Sequence, residues 1–176
     1  MRAFIALDIP QALREYVAAL TRQLKATVKG RFVPRDNYHV TVAFLGDTSE
    51  RELADAMGVL DDTASRFDPV ELVPDGLGKF GRANDATLWL GFMQDPALMD
   101  LAAFVRTELD DVGVSFDAKP FVPHLTLARR TVLDQGKLAT LPFPAPAHAD
   151  ELTLFKSTLT SDGAIYEPIY TVRLES

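Results

Sequence analysis

Two periodicities divide this chain. In some stretches apolar and polar residues alternate, which is the period of a half-buried strand. In others apolar residues recur every three or four positions, which is the period of a helix face. Arg2 to Asp8 reads as a short buried strand. Pro10 then supplies a first helical position, Leu13, Val17, Leu20 and Leu24 follow at helical spacing, and Gly30 closes the segment. The run Pro34-Arg35-Asp36-Asn37 is turn-like, and residues 38–45 alternate again as a strand. After the turn Gly46-Asp47-Thr48, Ser49 and Glu52 form a capping box ahead of Leu53, Met57 and Leu60. Further strands are expected near residues 67–73 and 77–80.

The second half repeats this order. Residues 87–93 read as a strand containing Trp89. Asp95-Pro96 starts a helix with Leu98, Leu101, Val105 and Leu109 on one face, and Gly113 ends it. Residues 121–128 form a strand, residues 132–141 a weaker helix, and Pro142-Phe143-Pro144-Ala145-Pro146 a stiff connector. Strands close the chain near 151–157 and 169–174. Pro10 precedes His39 by 29 residues and Pro96 precedes His124 by 28, so strand, proline-started helix and histidine strand occur twice in register. The expected fold is α+β: a duplicated, bilobal unit with two antiparallel sheets and flanking helices around a central cleft. All 176 residues form one domain of two pseudo-symmetric lobes, with residues 39–42 in the first and 124–127 in the second.

The histidine strands carry the chemistry. His39-Val40-Thr41-Val42 and His124-Leu125-Thr126-Leu127 each place an imidazole and a hydroxyl two residues apart on one strand face. Displacement at phosphorus needs a base for the attacking oxygen and an acid for the departing one. Two imidazoles, whose ordinary pKa is about 6.5, can hold those opposite protonation states near neutral pH. The threonines can donate to the non-bridging oxygens. Arg129 follows Thr126 by three, so strict alternation turns it away from the His124 face, whereas a bend or bulge would return it as a phosphate ligand.

Composition narrows the setting. The 47% apolar content is ordinary, and no apolar run approaches the roughly 20 residues of a membrane span. The N-terminus turns acidic too soon for a signal peptide, and the absence of cysteine fits a reducing cytoplasm. A formal charge of −7 argues against wrapping a long duplex but allows a local grip on one terminal phosphate.

These residues resemble a known family. His-Val-Thr-Val-Ala-Phe-Leu-Gly from His39 to Gly46 and Pro-His-Leu-Thr-Leu-Ala-Arg from Pro123 to Arg129 look like the paired signatures of the two-histidine phosphoesterases. Phe4-Ile5-Ala6-Leu7-Asp8, Lys119-Pro120-Phe121 and the stretch from Ser157 to Tyr166 narrow the likeness to the bacterial and archaeal RNA 2′,3′-cyclic phosphodiesterases, also called 2′-5′ RNA ligases. The resemblance implies metal-independent opening of a 2′,3′-cyclic phosphate at an RNA end to leave a 2′-phosphate, with 2′-5′ joining as the reverse reaction. It implies His39 as proton donor, His124 as proton acceptor, and Thr41, Thr126 and Arg129 as phosphate ligands. No cofactor and no metal are implied. The partners are RNA ends, tRNA fragments among them, met by a cytoplasmic monomer.

Two departures bear on RNA affinity, because many relatives carry basic residues where this chain has Ala43 and Val122. Lys79, Arg82, Lys119 and Arg130 could replace that charge, and Tyr38, Phe44 and Tyr166 could offer a face to a terminal base, although core packing is expected of Phe44. Gly76-Leu-Gly78-Lys-Phe-Gly81 spells a dinucleotide fingerprint but lacks a following helix. His148 is expected in a loop. A zinc site on His39 and His124 would need a third ligand from the acidic residues. Other readings are action on a cyclic nucleotide, ADP-ribose cyclic phosphate or 2′-5′ oligoadenylate, and a non-catalytic module that binds RNA ends.

Overall fold

A computed structural model describes residues 1–132 and 145–175. The first half runs β1 (Arg2–Asp8), α1 (Gln11–Lys25), β2 (Lys29–Phe32), a 3-10 turn at Arg35–Asn37, β3 (His39–Asp47), α2 (Glu50–Ala64) and β4 (Val70–Leu72). Then come β5 (Pro74–Arg82), β6 (Asp85–Phe92), α3 (Pro96–Asp111), β7 (His124–Val132), β8 (Ala147–Ala149), β9 (Glu151–Thr160) and β10 (Gly163–Arg173).

Two four-stranded antiparallel sheets organise the molecule, in the orders β10-β9-β1-β3 and β2-β7-β6-β5, and β4 pairs with β8 beside them. The α+β, two-sheet architecture is the one expected. The lobes, however, are not the two halves of the chain. β2 leaves the first half to flank β7, and β9 with β10 returns from the second half to flank β1. Each histidine strand therefore belongs to a sheet built from both halves, which ties the lobes covalently in several places.

Local sequence explains the helices. In α1, Leu13, Val17, Leu20 and Leu24 are buried as one face. The capping box of α2 forms in both directions: Glu52 N donates to Ser49 Oγ at 3.1 Å and Ser49 N to Glu52 Oε1 at 3.0 Å. Leu98 N donates to Asp95 Oδ2 at the start of α3, and Gly113, at φ 76°, takes the left-handed conformation that ends it.

Several boundaries differ from expectation. Pro10 is the cap residue before α1 rather than its first residue, and Gly30 lies inside β2 instead of closing the helix. The strands expected at 67–73 and 77–80 are β4 and the longer β5, and β7 starts at His124, so residues 121–123 are loop. His148 belongs to β8, where its Nε2 lies 3.7 Å from Glu71 Oε2. Of the helix expected at 132–141, Val132 ends β7 and the rest lies outside the described residues, as does most of the proline connector.

Candidate active site

A strand that alternates strictly cannot put His124, Thr126 and Arg129 on one face. β7 does not alternate strictly. Leu88 pairs with Ala128 and Trp89 with Thr126, so Leu127 is an extra residue, and Leu127 and Ala128 are consecutively buried. The bulge restores Arg129, exposed, to the face of the imidazole and the hydroxyl. β3 carries the equivalent bulge: Ile5 pairs with Ala43 and Ala6 with Thr41, leaving Val42 extra. A bulge leaves a carbonyl to be satisfied. In β7 the Leu127 oxygen accepts from Val33 N at 2.8 Å beside β2. β3 is an edge strand, and there Arg106 of α3 supplies the donor, its Nε lying 3.1 Å from the Val42 oxygen.

Both imidazoles are oriented in the same way. His39 Nδ1 lies 2.7 Å from the Asn37 oxygen and His124 Nδ1 2.6 Å from the Val122 oxygen. A carbonyl only accepts, so Nδ1 carries hydrogen in each ring and Nε2 is the nitrogen left to take up or give a proton. An aromatic edge fixes each ring further. Tyr166 meets His39 at 5.3 Å and 84°, and Phe80 meets His124 at 5.2 Å and 88°. Phe4 stands behind His39 at 4.9 Å and Trp89 behind His124 at 5.9 Å. Gly78 makes room for that indole, since a Cβ there would lie 2.2 Å from the Trp89 ring. This is the physical use of Gly78, and the 76–81 stretch belongs to β5 with no helix following it.

The two lobes meet in one cavity of about 240 Å³, lined by Thr41 and Phe44 from β3, Phe80 from β5, His124 from β7, Arg106, and the loop from Asp117 to Val122. Asp117 N donates to the Phe44 oxygen at 2.9 Å, and Arg106 Nη1 to the Lys119 oxygen at 2.7 Å, so this loop is pinned to β3 and α3. Burial pushes the His39 imidazole down to about 4; the charges of Arg129 and His124 add to that effect, and the Asn37 carbonyl opposes it. The contribution of Arg129 and His124 shows that groups of the second lobe act on the first lobe's histidine.

The expected residues separate accordingly. Arg129 and His124 act electrostatically on His39, Tyr166 touches that ring, Thr126 shares the strand face of His124, and Thr41, His124 and Lys119 line the cavity. Tyr38 does not reach it: the ring is buried and its hydroxyl lies 3.1 Å from Thr21 Oγ1, so it offers no face to a base. Arg130 is a second correction. It sits at φ 55° at the end of the signature and pairs with Asp85 at 3.2 Å on the β5–β6 turn. Phe44 is a third, being 38% exposed and lining the cavity where core packing was expected. Lys79 donates to its neighbour Gly81 O at 2.9 Å. Sequence reasoning missed Phe80, Trp89 and Arg106. Spacing gives no sign of them, because they reach the site from β5, β6 and α3.

The sequence pattern of the 2'-5' RNA ligase superfamily matches residues 9–160. The chain is 31% identical to an RNA 2',3'-cyclic phosphodiesterase of Methanothermobacter thermautotrophicus, covering 99% of both chains. It is also 31% identical to the enzyme of that name from Escherichia coli, over 96% of this chain and 93% of the relative. Among solved structures, Escherichia coli LigT in its apo form aligns with TM-score 0.76 and 28% identity, over 99% of this chain and 98% of that one. LigT complexed with 3'-AMP aligns at TM-score 0.75 with the same identity and coverage.

Proposed function

The chain belongs to the 2'-5' RNA ligase superfamily, and from that premise we propose that it is an RNA 2′,3′-cyclic phosphodiesterase working by two-histidine acid–base catalysis. The observation that carries the reading is the doubled His-Thr pair, each pair on a bulged strand, each imidazole with Nδ1 held by a carbonyl, and Thr41 and His124 lining one cavity.

In the proposed step, His124 Nε2 takes a proton from water as the water oxygen attacks phosphorus. The bond from phosphorus to the 3′ oxygen breaks, and His39 Nε2–H protonates that oxygen. A 2′-phosphate and a 3′-hydroxyl remain. A 5′-hydroxyl in place of water gives a 2′-5′ linkage by the same proton transfers. Thr41, Thr126 and Arg129 hold the non-bridging oxygens, where charge accumulates. Arg129 neutralises the single charge of a cyclic phosphodiester. That anion also opposes the Coulombic effect of Arg129 on His39, so substrate binding itself favours the protonated donor.

Phe44 and Phe80, both exposed, give the cavity aromatic faces suited to a terminal nucleoside. The substrates are RNA ends bearing the cyclic phosphate, tRNA fragments among them. Because one chain carries both signatures, the monomer is the acting unit. The test incubates the protein, with excess chelator, with an RNA ending in a 2′,3′-cyclic phosphate and maps the product. A 2′-phosphate terminus is expected; retention of the RNA without turnover would identify a binding module instead, and a 3′-phosphate would overturn the assigned leaving oxygen.

A further inference from the structure

Arg31 of β2 is the direct antiparallel partner of Arg129 in β7. Directly opposed residues share a sheet face with Cα atoms about 4.5–5.5 Å apart, and like charges so placed repel. The neighbouring register agrees: Phe32, half-buried against the core, pairs with buried Ala128, and Gly30 turns its Cα hydrogens toward buried Thr131. Arg31 and Lys29 thus alternate outward, and Arg31 stands beside Arg129 on the cleft face of the second sheet.

Other arginines of this acidic chain are neutralised locally, Arg35 by Glu15, Arg130 by Asp85 and Arg173 by Asp150. Among the described residues neither the Arg31 nor the Arg129 side chain has an acidic partner or a hydrogen bond. A strand pair that holds two unneutralised guanidinium groups directly opposite each other is destabilised unless an anion lies between or beside them. Charge counting says which anion. A cyclic phosphodiester carries one negative charge, and Arg129 balances it. Arg31 requires a second charge one step further along the ligand, and an RNA strand supplies it as the phosphodiester on the 5′ side of the terminal nucleotide.

Resting on the reading that the cleft opens a terminal cyclic phosphate, we propose that Arg31 binds that adjacent phosphodiester, so the site is built for the end of an RNA strand rather than for a mononucleotide. Lys29, two residues away on the same face, extends the cationic track outward. The missing basic residues at Ala43 and Val122 are thereby replaced from a different strand.

The test compares wild type and Arg31→Met on adenosine 2′,3′-cyclic phosphate and on a trinucleotide with the same end. The variant should lose about tenfold in kcat/KM on the trinucleotide, the order of one exposed charge-assisted hydrogen bond, and stay within about twofold on the mononucleotide. The slope of log KM against log salt for the trinucleotide should fall by about 0.7, one single-strand phosphate contact. Arg51→Met, which removes an exposed charge from α2, should alter neither substrate. Equal loss on both substrates would put Arg31 on the scissile phosphate and overturn the proposal, as would no loss on either. Equilibrium binding of the corresponding 2′-phosphate products reports on Arg31 without turnover. If wild type hydrolyses neither ligand, the catalytic reading fails, and selective loss of trinucleotide binding still supports the second phosphate contact.

Discussion

Phe44 stands in β3 where Arg129 stands in β7, each five residues after its histidine and each returned to the cleft face by a bulge at the residue following the threonine. The duplicated site is asymmetric at this pair: a cation on one side, an aromatic face on the other. Arg129→Met should therefore lower kcat/KM by about 10², the cost of removing one preorganised charge donor. Phe44→Ala should instead raise KM about 5- to 150-fold with kcat nearly unchanged, since base stacking is worth about 1–3 kcal/mol. Steady-state kinetics on the mononucleotide separates the two. A fall in kcat for Phe44→Ala would remove it from the base subsite.

His39 and His124 are expected to fail separately. Replacing either by Ala should reduce turnover at least about 10²-fold with the fold retained by circular dichroism. Near-wild-type turnover in either variant would remove that residue from the chemistry.

The pH profile decides which histidine is the donor. Burial holds His39 down to about 4, so in the free protein the imidazole is neutral at pH 7. If His39 donates the proton, kcat/KM, which reports the free enzyme, falls as pH rises through that low value, while kcat holds to higher pH because the bound anion raises the group. Alkaline limbs that coincide would reverse the roles. Stability has its own sign. A histidine lowered in the fold stays neutral between about 4 and 6.5 while the unfolded chain takes up a proton. His39 therefore contributes stability above that window that is lost as pH falls from 6.5 toward 4. Urea midpoints of wild type should drop across this range more steeply than those of His39→Gln.

The parts legible in sequence were those written in local pattern: the helix caps at Ser49 and Asp95, the two alternating signatures, and their common register. What spacing could not reveal was strand exchange between the lobes. Nothing in Lys29 to Phe32 announces a strand, because its four residues gain their structure from the edge of β7 and not from a pattern of their own. Tyr38 was misread for a related reason: an aromatic beside a signature looks available until the packing of α1 places Thr21 on its hydroxyl. Arg129 was an open question that one bulge resolved.

Arg106 should act through geometry. Its guanidinium holds the Val42 and Lys119 carbonyls and lies over Phe116 and Phe121, joining the bulge beside Thr41 to the loop before His124. Arg106→Met leaves the edge-strand carbonyl without its donor, at a cost of about 1–3 kcal/mol. The expected readout is a drop in kcat with KM changed less, and partial rescue by Lys, which can reach one carbonyl but not both. A loss of thermal stability with kcat intact would make the residue structural only.

The support behind His124 can be tested without touching any group that meets substrate. Gly78→Ala places a methyl 2.2 Å from the Trp89 ring, so the indole must shift from its place beside His124 and Phe80. Overpacking of this kind costs about 1–3 kcal/mol in stability. If the aromatic wall sets the direction of Nε2, kcat should fall while the Nδ1 bond to the Val122 carbonyl persists, visible as a retained downfield imidazole proton by NMR. Trp89→Phe, smaller by one ring, should relieve the clash in the double variant and recover part of the lost rate. Failure of that rescue, with stability restored, would mean that the backbone carbonyl alone orients His124.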